Sequence, residues 1–560
     1  MNRIIAGLGF SSYVDFLKKF VMPIVGISIA MFFAVLFLFR DFPFFIPYLL
    51  LFIGIAFVFV YPYLVFDAKK TNIQNTIHLF ITYAGTISTL SLGRAQIFRK
   101  LADKEIYKEI SESMKKTVYL ASEWKLGFSK SCRRVALMVP SIMFGDFLDR
   151  LASALDFGEE LDVFFLQEQD AVMVDYETMY RGSLQSIILI KDVFVAITIS
   201  IAFALASSLL LPLLLGISII VVIKWCLYGL IFVDIFMVIM IKGMIPDDPL
   251  IHNLSNKYCS RQMVLLRRFF LISISLSIIL VALFLTTLHL PLLVSMSLAT
   301  IPMAIVGIFG MKLDNDVFYK DRVFPTFIRA VGNSLAARGG TLLGTIQAVR
   351  VHKFGYIDDT IESLYRRLRL GCDGVESWTY FVGESGSHLI KQFIHIFVES
   401  IYFGGDPAKI SSIISKNFQR VLSLRKLKRQ VVSEMRGALY GALVGFTASV
   451  FVCVEISNVL FSMFEGAFGN AGGSSDVSSI TSAIIPGGMQ TVNMSLILLY
   501  ITIMVIFHAF VSAYSIKLVD GGSKYAMFLD FTAMLALGAI IAWGVPIVFK
   551  MLMGPLGVGG

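Results

Sequence analysis

The residues that could do chemistry in this chain are few and far apart. Seven histidines are scattered over 560 positions, and no H-E-x-x-H sets two of them on one helical face around a zinc ion. Gly521-Gly522-Ser523-Lys524 has the residue types of a phosphate loop without the G-x-x-x-x-G-K-[ST] spacing, so it reads as a short turn. Phe144-Gly145-Asp146 contains a Gly-Asp pair, but in a soluble helical stretch that does not suit an intramembrane aspartyl protease. No nucleophile elbow occurs. Cys132, Cys226, Cys259, Cys372 and Cys453 form no C-x-x-C and suit neither a metal site nor a disulfide framework. The expectation is a protein that is not an enzyme, with no catalytic residue, cofactor or metal, whose energy comes from a partner.

Four ionisable side chains lie in or near apolar runs: Lys224, Asp234, Glu455 and Asp530. Such groups are costly in hydrocarbon and often mark an ion or proton path. Asp234 and Asp530 fall near the cytoplasmic ends of their runs. Lys224 and Glu455 fall toward the outer ends, where side chains reach the interface or pair between helices. A transporter would place such groups near the midplane of paired membrane repeats. The repeat in this chain is soluble, so interfacial or structural roles are expected.

The elements that must carry these residues follow from composition. Apolar residues make up 57% and charged residues 16%, and mean hydropathy is +0.78. That is a multi-pass membrane protein, not a secreted, fibrous or disordered chain. Apolar runs predict nine spans, near 21–39, 42–66, 193–211, 217–241, 269–287, 290–311, 437–462, 491–515 and 525–549. The first run leads directly into the second without a small-residue cleavage site, so no removable signal peptide is expected. The resulting organisation is an amphipathic segment and hairpin at 1–66, a soluble block at 67–192, and four spans at 193–311 with a cytoplasmic loop near 242–268. A second soluble block follows at 312–436, then three spans at 437–560 with a Gly/Ser-rich outer loop at 465–490. With the N-terminus inside, only Arg40 and Lys550 among 48 cations lie outside, as the positive-inside rule requires. Both blocks are then cytoplasmic and the C-terminus is outside.

The two blocks look like copies of one unit. Leu126-Gly127 answers Leu370-Gly371, and Phe157-Gly158 answers Phe403-Gly404. Ile106, Ile110, Met114, Val118 and Ala121 keep helical spacing, as do Phe147, Leu148, Leu151 and Leu155. Each block is predicted to be a bundle of about six helices. Their charges differ: 67–192 holds 16 Lys plus Arg against 17 Asp plus Glu, and 312–436 holds 19 against 12. In the second block Arg366, Arg367 and Arg369 form one basic group and Arg425, Lys426, Lys428 and Arg429 another. On a helix each group presents a stripe, suited to an acidic protein partner or, for 425–429, to lipid headgroups. Nucleic acid is not an expected partner, because no binding motif is present.

A twice-repeated helical cytoplasmic domain between membrane spans resembles the platform proteins of type II secretion and type IV pilus machines. The local motif agrees: Gly127, then Phe144-Gly145-Asp146-Phe147-Leu148-Asp149-Arg150-Leu151, then Gly158-Glu159. The second copy has Gly371 and Gly404-Gly405-Asp406, with Asp in the acidic place. Nine spans are similar to the archaeal branch, in particular the archaellum platform, and an archaeal adhesive pilus platform shares these features. The resemblance implies an all-α multi-pass protein with two cytoplasmic helical bundles. It also implies a non-enzymatic role: docking a cytoplasmic hexameric ATPase and passing its motion to filament subunits, archaellins or pilins. A homodimer is compatible with it. A solute transporter or a membrane enzyme is the competing class.

Overall fold

The computed structural model describes residues 45–90, 92–210, 219–255, 257–258, 261–288, 290–339, 341–469 and 494–553, with scattered positions in 21–29. Among them regular structure is helical, with one isolated antiparallel bridge between Ile251 and Ser387.

Two series of six helices run in the same order. The first is α1 (Phe45–Ser88), α2 (Arg94–Ala102), α3 (Glu109–Ser122), α4 (Phe128–Ala136), α5 (Ile142–Asp156) and α6 (Leu161–Leu210). Next come α7 (Ile219–Met244), α8 (Arg261–Thr286) and α9 (Leu292–Ala299). The second series is α10 (Ile301–Arg338), α11 (Leu342–Val349), α12 (Asp358–Arg369), α13 (Gly374–Ser385), α14 (His388–Tyr402) and α15 (Pro407–Gly469). The chain closes with α16 (Met494–Asp520) and α17 (Met527–Met553). In both series a long helix, three short ones and a 15-residue helix precede a second long helix, 50 residues in α6 and 63 in α15.

The repeated glycines hold the corners. Gly127 and Gly371 have φ 76°, Gly158 has 74° and Gly404 has 83°, a left-handed conformation that costs a side chain about 1–2 kcal/mol. At Gly158 the Glu159 N–H returns to the Ala154 carbonyl at 3.0 Å, and at Gly404 the Gly405 N–H returns to Ser400 at 3.1 Å. Both are the same six-residue closure of a helix end. Asp406 then caps α15, accepting from Ala408 N at 2.9 Å, with Pro407 at the first helical position. By helix start, Asp406 is the counterpart of Glu160.

The chain forms two compact units, residues 1–179, 324–353 and 392–421 in unit 1 and the remainder in unit 2. These units divide the 312–436 block between them. In unit 1, Phe144, Phe147, Leu148 and Leu151 line the buried face of α5, and the rings of Phe144 and Phe147 meet Phe80 edge-on at 5.9 and 6.0 Å. Leu155 is only half-buried. The expected helix from Ile106 starts later, because Lys108 takes φ 42° and leaves Ile106 exposed; Ile110 and Met114 are buried as their spacing requires.

Six described helices are long and apolar enough to cross a membrane, or seven when α9 and α10, bent by 42°, count as one span. They correspond to the last seven of the nine expected spans. The break sits at Thr300, ahead of Pro302, whose missing N–H cannot continue the hydrogen-bond ladder from α9. The run at 42–66 falls on α1 from Phe45 onward; 21–39 lies largely outside the described residues, as does most of the 465–490 loop. On α8, Leu271, Ile272, Ile278 and Ile279 are exposed, as lipid-facing residues are. Against α17, Gly307 and Gly310 permit close approach: a methyl at Gly307 would lie 2.6 Å from the Leu529 nitrogen.

Candidate functional site

Several charged residues of unit 2 gather at a buried cluster around Arg425. This side chain leaves α15 and is 4% exposed. Its Nε donates to Asp248 Oδ2 at 2.9 Å, Nη1 to Asp321 Oδ2 at 2.7 Å and Nη2 to the Pro249 carbonyl at 3.0 Å. Asp321 also accepts from the Ser387 hydroxyl. Lys428, equally buried, donates to the Asp248 carbonyl at 3.0 Å. Arg425 thus meets two carboxylates, the condition under which its buried charge is tolerable, while Lys428 is held by a main-chain carbonyl.

The same cluster fastens the loop between α7 and α8. Leu250 N donates to Gly521 O at 3.0 Å, His252 N to Gly386 O at 3.1 Å and His388 N to Leu250 O at 3.0 Å. Residues 248–252 therefore join α10, the α13–α14 turn, α15 and the turn before α17. His252 Nε2 lies 3.0 Å from the Gly383 carbonyl, and burial lowers its pKa. Burial, then the charge of Arg425, pushes His388 down to about 4. Both rings are neutral parts of the core near neutral pH.

This corrects the basic stripe expected at 425–429. Arg425 and Lys428 turn inward: the carboxylates of Asp248 and Asp321 receive Arg425, and the Asp248 carbonyl receives Lys428. Arg429 bonds Asn315 at 3.0 Å and lies 3.9 Å from the Phe318 ring centre; Lys426 is exposed. In the other group Arg367 pairs with Glu384 and stacks 4.8 Å from the Tyr380 ring centre. Arg366 and Arg369 remain exposed, with Arg366 lying 3.4 Å from Glu362 on its own helix. Sequence reasoning missed Asp248, Asp321 and Ser387. The adjacent Asp247-Asp248 in an otherwise cationic loop region was the available signal.

A second buried site lies among the membrane helices. Asp234 of α7 and His508, near the middle of α16, are both fully buried, with Oδ1 and Nδ1 2.9 Å apart. The imidazole is flanked by Phe194 of α6 at 5.6 Å and Phe446 of α15 at 5.8 Å. Asp234 is therefore held between α7 and α16. Asp530 meets Arg436 at 2.9 Å and the Tyr440 hydroxyl at 3.1 Å, and Lys191 meets Glu434 at 2.8 Å. Lys224 is exposed and Glu455 half-buried. Of the motif residues, Gly145 is buried on α5, where a methyl would stand 3.3 Å from the Ala136 carbonyl, while Asp146 is exposed and Glu159 half-buried. Among the described residues no group of three or more His, Cys, Asp or Glu could hold a metal ion.

Over 550 residues the chain is 32% identical to flagella accessory protein J of Methanocaldococcus jannaschii, with 96% of each chain covered. The chain belongs to the flagella accessory protein J family. It is also similar to flagella accessory protein J of Methanococcus voltae, at 29% identity over 492 residues and 86% of each chain. No family model and no solved structure matches the chain. This flagella accessory protein J family member is thus a membrane protein of the archaellum, the motility organelle, and the Arg425 and Asp234–His508 clusters are features of such a protein.

Proposed function

We propose that this protein is the membrane platform of the archaellum, docking a cytoplasmic hexameric ATPase and passing its motion to filament subunits, with no catalysis of its own. Full-length similarity to flagella accessory protein J carries this reading. The helix plan supports it: α6 and α15 each start at a repeat corner and continue into an apolar span, 50 and 63 residues without a break in helix. A helix of that length, about 75–95 Å at 1.5 Å per residue, can carry a displacement without chemistry. The N-terminus and both repeats are proposed to be cytoplasmic and the C-terminus outside, following the cation distribution.

Arg366, Arg369 and Lys426 are the exposed members of the two basic groups, and Arg366 with Arg369 forms the proposed docking face. With the full chain in nanodiscs, Arg366→Glu with Arg369→Glu is expected to slow ATPase association and flatten its salt dependence, because exposed charges act mainly on encounter rate. Unchanged binding by the folded variant removes this face from the proposal, and no binding by the parent protein removes the docking role. For orientation, a cysteine placed at Ser474, outside the described residues, is expected to react with an impermeant thiol reagent on intact cells. One at Ser363 is not, and its labelling would invert the topology.

A further inference from the structure

The Phe-Gly corner occurs twice, and only one copy is covered. In unit 1 Phe403 of the second series, 44% exposed, lies under the Lys100 ammonium, 3.3 Å from its ring centre. Lys100 comes from α2, which carries Arg94, Arg99 and Lys100. Phe157, its counterpart in the first series, is 89% exposed. The helix equivalent to α2 is α11, Leu342–Val349, which has no Lys or Arg. The cation that covers one corner therefore has no copy to cover the other.

The surroundings of Phe157 suit a cation better than those of Phe403. Between Ile142 and Asp170 there are eight carboxylates and one cation, Arg150; the equivalent 388–416 has two carboxylates and three cations. Phe157 borders a groove of about 430 Å³ within unit 1, lined also by Asp149, Arg150, Ser153, Glu159 and Glu168. Arg150 is committed to Glu168 and Arg133 to Asp156. Arg94 reaches the corner only through the Gly158 and Glu159 carbonyls, at 3.3 and 3.4 Å. The carboxylates of Asp149, Glu159 and Glu160 stay at the surface around an open aromatic ring.

We propose that this corner is a docking site for a cationic segment of a protein partner, whose Lys or Arg takes over Phe157 the place that Lys100 takes over Phe403. A cation over an aromatic face gains from the ring quadrupole, and the flanking carboxylates add steering and exclude acidic partners. This surface is separate from Arg366 and Arg369 and does not depend on what docks there.

The test uses the full chain in its own cells, with a photo-reactive amino acid at Ser153 and Phe157 intact. The expected adduct is a peptide from another protein that contains a cluster of Lys or Arg. Glu159→Lys with Glu160→Lys is expected to lower its yield about tenfold, about 1.4 kcal/mol, with Glu159→Gln and Glu160→Gln in between. Phe157→Ala is expected to lower it and Phe157→Tyr to retain it, while Arg366→Glu leaves it unchanged. Equal membrane abundance and melting temperature establish that each variant folds. Adducts confined to lipid, to a second copy of this chain or to an acidic or neutral peptide would overturn the proposal. So would no adduct, or a yield indifferent to charge reversal and to loss of the ring.

Discussion

The two repeats share a frame and differ in how they use charge. Helix order, the length of the fifth helix and the Phe-Gly corner before the second long helix correspond, whereas Gly127 caps the start of α4 and Gly371 follows the end of α12. Met179 stands where the second repeat has Arg425, and Gly182 where it has Lys428. The first repeat leaves carboxylates at its surface around an exposed Phe157. The second takes cations inside to meet Asp248 and Asp321. A net charge of +7 on 312–436 therefore overstates its basic surface, since Arg425 and Lys428 are buried. Backbone corners can be duplicated without duplicating the electrostatics built on them.

The comparison breaks most sharply at Arg425. Arg425→Ala leaves the buried Asp321 and the half-buried Asp248 without their cation, for an expected loss of about 3–5 kcal/mol. It should be seen as a fall in melting temperature and membrane abundance, with Met179→Ala costing less because only packing is lost. A normal melting temperature for Arg425→Ala would show that the cluster is not structural.

A smaller effect is expected from acid. His388 has its folded pKa near 4 against an ordinary 6.5. The unfolded chain then binds more protons between these values, and stability present above pH 6.5 is lost as pH falls toward 4. The loss is on the order of 2–3 kcal/mol at about 1.4 kcal/mol per unit. His388→Gln is expected to flatten that part of the pH profile of the melting temperature. An unchanged slope assigns the acid sensitivity elsewhere.

The smallest effect tests what the repeats share. Gly158→Ala and Gly404→Ala should each cost about 1–2 kcal/mol for the left-handed backbone, and by similar amounts, because open space surrounds both positions. A large cost at one corner alone would mean the two are not equivalent.

Much of the frame was legible in residue order. The Leu-Gly and Phe-Gly pairs located four helix ends, and the apolar runs located the later spans. The charge clusters were not legible in the same way. A stripe such as Arg425, Lys428 and Arg429 looks the same whether it meets solvent, lipid or carboxylate. Asp234 was visible as an intramembrane acid, but its partner His508 lies 274 positions away, and histidine in an apolar run carries no mark of what it will face.

By itself, then, the amino-acid sequence determined the membrane class, the duplicated six-helix plan and the glycine corners, because hydropathy, helical spacing and backbone sterics act over a few residues. Only the tertiary structure decided which cations are buried, which are presented and which Phe-Gly corner stays open. Those outcomes rest on contacts between distant segments, where a few ångströms separate an exposed charge from a paired one.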